Sequence, residues 1–311
     1  MKSSDSFART QERFEEALGI LLEKLQEDRN VLAVIVAGSL SYDVVWEKSD
    51  IDLMIIIRDG KLKGQDKDIA LTEYDVNIHA WAMERSRFRK IMEGSLRNSF
   101  IHSYFSKSSL LFTRDESIRD MYEGVEKLGS RDKQSQLLSI ASSFMPLISK
   151  VEKFLYSKND PQYAFIWITY MYSGLARIEL NLAGEIASRE VVHQAIKLNP
   201  DFFKAIYTEL IDAPKDKAAI ENALQLIDTF LVERCKDIFQ PLLDFLSEEG
   251  RIKSATEIDT WAQQYMNIQG LVGACEWLAD KEIIHRTSLP HRLTQTSLEE
   301  VEELAFYYGV L

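Results

Sequence analysis

The chain has 311 residues, 46% of them hydrophobic and 28% charged, with a formal charge of −12; this predicts a globular protein of two or three domains with sizeable cores. The acidic balance argues against nonspecific nucleic-acid affinity and against a polymerase on long templates, because counterion release needs a net basic face. Cys235 and Cys275 lack metal-ligand spacing and read as buried thiols in a reducing cytoplasm, and neither a signal-like start nor a run of roughly 18 apolar residues points to secretion or to a membrane.

In chain order, Phe7, Phe14, Leu18, Leu21, Leu22 and Leu25 recur at helical spacing with charges opposite, predicting a one-sided helix over residues 6–26. Two apolar runs, Val31 to Ala37 and Ile51 to Ile57, then read as strands flanking a Gly38-Ser39 turn and a short polar segment. Between Lys61 and Asp68 a solvated loop is expected, in which Lys61 and Lys63 are weak candidates for a phosphate clamp. The stretch Ala70 to Met83 alternates and predicts a single strand with Tyr74, Val76 and Ile78 on one face and Asp75, Asn77 and His79 on the other. Glu84 to Phe105 has helical spacing and carries Arg85, Arg87, Arg89, Lys90 and Arg97, more simply a solvated face than a basic wall against triphosphate. Ser109 to Arg114 reads as the last strand, Glu116 to Leu128 as a helix, and breaker residues near Gly129-Ser130 as the end of an N-terminal domain, residues 1–129.

The chemistry of that domain concentrates at Asp50-Ile51-Asp52. Residues i and i+2 of a strand share a face, so two carboxylates stand side by side while Ile51 and Leu53 enter the core. Carboxylates held this close repel unless a divalent cation lies between them, and Mg2+ takes such oxygens together with nucleotide phosphates. Gly38 and Ser39 would let backbone N–H groups and a hydroxyl approach a phosphate.

The order Ala37-Gly38-Ser39, then Lys48-Ser49-Asp50-Ile51-Asp52-Leu53, resembles the signature of the polymerase-β-like nucleotidyltransferase superfamily. The resemblance implies an α+β domain with a mixed sheet and flanking helices, two Mg2+ ions, and an NTP as co-substrate. Asp50, Asp52 and Asp75 would be the metal-binding and catalytic carboxylates, with Asp75 the third ligand and base. Gly38, Ser39 and Ser49 would lie on the nucleotide, and His79 is a further candidate for a phosphate contact.

From Gln134 to Leu246 helix follows helix, broken at Asn159-Asp160-Pro161, Gly184, Asn199-Pro200 and Ala213-Pro214, which predicts an all-α bundle over residues 130–249. Its run Arg177-Ile178, then Gly184-Glu185-Ile186-Ala187-Ser188-Arg189, is similar to aminoglycoside adenylyltransferases of the streptomycin/spectinomycin type, with Arg189 where a lysine is usual. Ser188 is expected to cap the next helix and, with Arg189, to form an anion site for nucleotide phosphates. Glu179 is a weaker candidate for orienting an acceptor. ATP as donor and an aminoglycoside-like small molecule as acceptor are what this resemblance implies.

Residues 250–311 read as helix, turn, helix and two-stranded ribbon, with Ser297 to Glu300 as a capping box opening a final helix. The order resembles a winged helix-turn-helix. Its second helix is acidic, and the segment holds 5 Lys plus Arg against 9 Asp plus Glu, so packing on the bundle, dimerisation or framing an acceptor cleft is favoured over DNA binding. The leading expectation is therefore transfer of an NMP, AMP from ATP, to a small-molecule hydroxyl. Adenylylation of a protein or another metabolite, and a nucleotide-sensing DNA-binding regulator, stand as alternatives, and a homodimer is left open.

Overall fold

A computed structural model divides the chain into two compact units, Met1–Leu128 and Gly129–Leu311, and describes residues 4–37, 49–62, 66–95, 105, 108–124, 130–185, 187–188, 190–247, 252–294, 296 and 298–309. In the first unit, helix α1 (Ser4–Glu27) leads into strands β1 (Val31–Ala37) and β2 (Ile51–Ile57). Next come β3 (Lys67–Glu73), β4 (Val76–Glu84), α2 (Arg85–Ser95), β5 (Ser109–Thr113) and α3 (Glu116–Glu123). The sheet order is β3-β4-β2-β1-β5. All neighbours pair antiparallel except β2 and β4, which run parallel.

Both faces of this sheet are covered, which is why β1 is buried at all seven positions instead of alternating. Phe14, Ala17 and Leu21 of α1 pack on Val34, Val36, Ile51, Leu53, Ile78 and Ala80. On the opposite face Phe88, Ile91 and Met92 of α2 and Ile118 of α3 close over Ile35, Met54, Ile56 and Met83. The two helices of that face are tied together at their starts. Asp115 caps α3 by accepting from the Ser117 N–H, and Arg85 donates from Nε to the Asp115 carboxylate at 2.6 Å and from Nη2 to the Ser117 hydroxyl at 2.6 Å.

The Ser117 hydroxyl bond, with the Arg85 guanidinium behind it, holds the Asp115 carboxyl below its ordinary value despite partial burial. A depressed folded-state value means that its stabilisation is present above the unfolded carboxylate range, near 4, and disappears as pH falls through the folded value. Asp115→Ala should cost about 1 kcal/mol at neutral pH, as expected for a lost cap. The gap from wild type should close in acid when unfolding is followed by urea titration at a series of pH values.

In the second unit α4 (Ser130–Glu152) pairs lengthwise with α5 (Pro161–Ala183), followed by α6 (Val191–Leu198), a helical stretch 200–212, α7 (Lys217–Glu233) and α8 (Cys235–Leu246). Asp160 caps α5 ahead of Pro161, and Gly184 ends it in the left-handed conformation. Cys235 and Cys275 are buried free thiols; burial pushes Cys235 up to about 11 and raises Cys275 as well, which keeps both in the unreactive protonated form.

After α8 come β6 (Lys253–Ser254), α9 (Ala255–Met266), α10 (Val272–Asp280), β7 (His285–His291) and β8 (Val301–Tyr307), with sheet order β6-β8-β7. One expectation fails here. The ribbon pairs 285–291 with 301–307, and the second of these is a strand where a helix was expected. Ser297 lies outside the described residues, while a capping box forms instead at Ser254 and Glu257, opening α9. The core of this segment is continuous with the bundle: Ala274, Cys275 and Leu278 of α10 are fully buried in the same cluster as Phe144, Ile227 and Phe239.

Candidate active site

Asp50 precedes β2 and Asp52 lies within it, paired across β2 and β4 with His79 and across β1 and β2 with Ala37. Ile51, Leu53, Ile78 and Ala80 enter the α1-facing core, so Asp50 and Asp52, and His79 on β4, share the opposite face by alternation. That face is roofed by α2 and α3 from Met54 and Trp81 onward. Asp50, Asp52 and His79 extend beyond the roof, with Asp50 and His79 exposed and Asp52 half-buried. One carboxylate oxygen from each aspartate and one imidazole nitrogen all lie within 4.8 Å of one another. Such a donor set can close on one divalent cation, whose ligand atoms stand roughly 2.0–2.2 Å from it, after small side-chain rotations.

Asp75 is not in this group. The predicted single strand is interrupted by a two-residue turn, Tyr74-Asp75, between β3 and β4. Both residues have positive φ, 52° and 57°, the signature of a type I′ hairpin whose twist suits the strands it joins. Asp75 is exposed at that tip, four residues ahead of His79, a span of roughly 13 Å in extended chain. Asp75 therefore lies apart from the two aspartates, and it is the imidazole of His79 that stands beside them. Asp75→Gly should raise stability by roughly 0.5–1 kcal/mol, since glycine adopts positive φ without a Cβ penalty. It should leave any transferase activity intact, which thermal unfolding and a turnover assay on the same protein would check.

The other sequence candidates separate. Gly38, Ser39, Lys63 and Arg189 lie outside the described residues; Ser49 is described, half-buried, immediately before Asp50. The arginines of α2 are partly occupied elsewhere: Arg85 holds Asp115, and Arg87 pairs with Asp66 at 3.0 Å. The expected cap at Ser188 is not made. The residue before α6 is Glu190, which makes no side-chain cap bond, and Ser188 is buried, its N–H donating to Gln194 Oε1 at 2.6 Å. Glu179 in α5 faces Arg234 at 3.3 Å.

The architecture and the paired aspartates meet in one comparison. Residues 18–106 match the family model described as "Nucleotidyltransferase domain". That match lies within the first unit and spans β1, β2, β4 and the whole Asp50, Asp52 and His79 group. A solved structure, the "nucleotidyltransferase-like protein from Exiguobacterium sibiricum 255-15", superimposes with a TM-score of 0.62 at 14% identity. The likeness covers 95% of this chain and 99% of that one, so the fold extends through the helical unit as well. No curated protein matches the sequence.

What sequence reasoning missed at this group is the weight of His79. The signal was present in the alternation of β4, but the parallel register that sets His79 beside Asp52 depends on a pairing between strands separated by β3.

Proposed function

We propose that this protein transfers a nucleoside monophosphate from an NTP to a hydroxyl of a small-molecule acceptor, with AMP from ATP as the donor reaction implied by the resemblance at residues 175–190. The observation that carries the proposal is the convergence of Asp50, Asp52 and His79 at the open end of a nucleotidyltransferase-domain sheet. In the reaction the acceptor oxygen forms a bond to the α-phosphorus, the bond from that phosphorus to the pyrophosphate oxygen breaks, and the hydroxyl proton leaves to solvent. A divalent ion, when bound, supplies positive charge against the phosphate oxygens.

Asp52 lies in β2 and Asp50 immediately precedes it, and the core residues Ile51 and Leu53 beside them are almost wholly buried, so the backbone that carries both carboxylates is anchored before substrate arrives. Gly38 and Ser39 belong to the proposal as the phosphate-binding positions, on the strength of the sequence motif. The element order α8-β6-α9-α10-β7-β8 supports a winged-helix reading of the C-terminal segment. Reading of DNA by its second helix is disfavoured. Ala274, Cys275, Trp277 and Leu278 of α10 are buried, and Trp277 donates to Asp228 of α7 at 2.9 Å. The basic side chains here are paired, Arg286 with Glu276 at 3.1 Å and Arg292 with Glu300 at 3.0 Å, while His291 Nδ1 lies 3.0 Å from Glu303, so the wing presents little net positive charge to a phosphate backbone.

The test is a screen of α-labelled NTPs with Mg2+ and with Mn2+ against hydroxyl-bearing acceptors, cationic aminoglycosides among them, reading label on the acceptor and pyrophosphate released. Transfer to a small molecule is the expected result. Label recovered on polypeptide would move the acceptor to a protein, and duplex binding that falls steeply with salt, without pyrophosphate release for any acceptor, would overturn the proposal.

A further inference from the structure

Resting on the nucleotidyl-transfer reading above, we propose that His79 is the third ligand of the cation held by Asp50 and Asp52, and that its nitrogen makes this a site for Mn2+ or Co2+ in preference to Mg2+. The first support is register. His79 pairs with Asp52 across two parallel strands, neighbouring strands lie about 4.8 Å apart, and the two side chains share a face by alternation. The second is convergence, since the imidazole nitrogen reaches within 4.8 Å of oxygens from both aspartates. The third is the composition of the group: among the described residues it holds two carboxylates and one imidazole, and Asp75, the residue immediately before β4, lies in the hairpin turn outside the group.

Ligand chemistry then decides the ion. Mg2+ is small, demands near-octahedral oxygen coordination and gives up water reluctantly, so an imidazole in its shell is a poor exchange. Imidazole suits the first-row transition ions, carboxylates also suit Mn2+, and affinity rises along the first-row series at nitrogen-bearing sites. Replacing a third carboxylate by a neutral imidazole also lowers the negative charge of the site by one, which weakens the attraction that a hard ion depends on. An exposed site at the end of a sheet leaves further positions for water and for nucleotide oxygens.

The experiment uses the full chain, stripped of metal with a chelator, and three variants, His79→Asp, His79→Gln and Asp50→Asn. Mn2+ is the probe. Free Mn2+ is counted by its EPR signal, the bound ion is examined by pulsed EPR for nitrogen hyperfine modulation, and Mg2+ is added in competition. The wild type should bind Mn2+ with nitrogen modulation, and displacement should need an excess of Mg2+ on the order of 100-fold, as a mixed nitrogen and oxygen site requires. His79→Asp should lose the modulation and reduce the required excess by about tenfold or more. His79→Gln should lose the modulation and weaken Mn2+ binding, and Asp50→Asn should weaken binding of both ions. Mn2+ bound without nitrogen modulation, or the same competition ratio in His79→Asp, overturns the inference. In that event NMP transfer by the wild type would leave the nucleotidyltransferase reading standing. Absence of Mn2+ binding together with absence of transfer under either ion overturns both.

Discussion

Asp50→Asn and Asp52→Asn should each lower NMP transfer by about 10³-fold or more, equivalent to roughly 4 kcal/mol of lost transition-state stabilisation. Asparagine preserves the shape of each side chain and removes the negative charge, so the loss reports charge and not packing. Stability should hardly move. Asp50 is exposed and Asp52 half-buried, and surface substitutions away from buried networks usually fall within about 0.5 kcal/mol. Neutralising one of two adjacent carboxylates also removes a repulsion in the metal-free protein. Single-turnover transfer and thermal unfolding, run on the same preparations, separate these effects. A variant that keeps more than a tenth of wild-type transfer would take its residue out of the site.

Gly174→Ala should destabilise the second unit by about 1–3 kcal/mol, the range for forcing an extra methyl group into a filled core. Propensity alone predicts the opposite sign, because alanine is better than glycine inside a helix by about 1 kcal/mol. Packing wins here because a Cβ built on Gly174 would lie 2.4 Å from Phe144 Cδ1 and 3.0 Å from Cε1. Phe144 is only 2% exposed and has nowhere to swing. This glycine is what lets α4 and α5 approach along their length. Urea unfolding of the single variants and of the Gly174→Ala, Phe144→Leu pair would measure the coupling, and the pair should recover at least 0.5 kcal/mol relative to additivity. Stabilisation by Gly174→Ala would refute the close approach.

The sheet was legible wherever a continuous apolar run lay between turn residues. Val31 to Ala37 and Ile51 to Ile57 are strands with the predicted limits, because a strand buried on both faces has no alternation to blur its ends. The Asp50-Ile51-Asp52 alternation was equally readable, since one face of β2 is core and the other emerges at the site. The turn at Tyr74-Asp75 was not. Neither residue is glycine, the alternating pattern runs through it, and left-handed backbone at a tyrosine carries no sequence signal. That one missed turn placed Asp75 on the wrong geometry and left His79 undervalued.

At the other end of the chain, Val301-Glu302-Glu303-Leu304-Ala305-Phe306-Tyr307 is rich in helix formers yet pairs with β7 along its length. Pairing and the burial of Ala305 and Phe306 override local preference there. The same capping pattern occurs at Ser254 and at Ser297, and only the first was matched by an observed helix start among the described residues.

The seating of α10 bears on how the protein could be shortened. Trp261 stacks on Phe245 at 4.3 Å between ring centres, Trp277 lies 6.1 Å from Phe239, and Tyr308 donates its N–H to the Leu246 carbonyl at 3.2 Å. Cutting the chain after Ser247 would not release a module at a linker. It would strip one wall from the helical unit, exposing Phe239 and Phe245 together and turning an apolar interior into an aggregating surface. Gain or loss of the C-terminal segment is thus coupled to survival of the helices before it, so the two must be inherited, expressed and engineered as a single body.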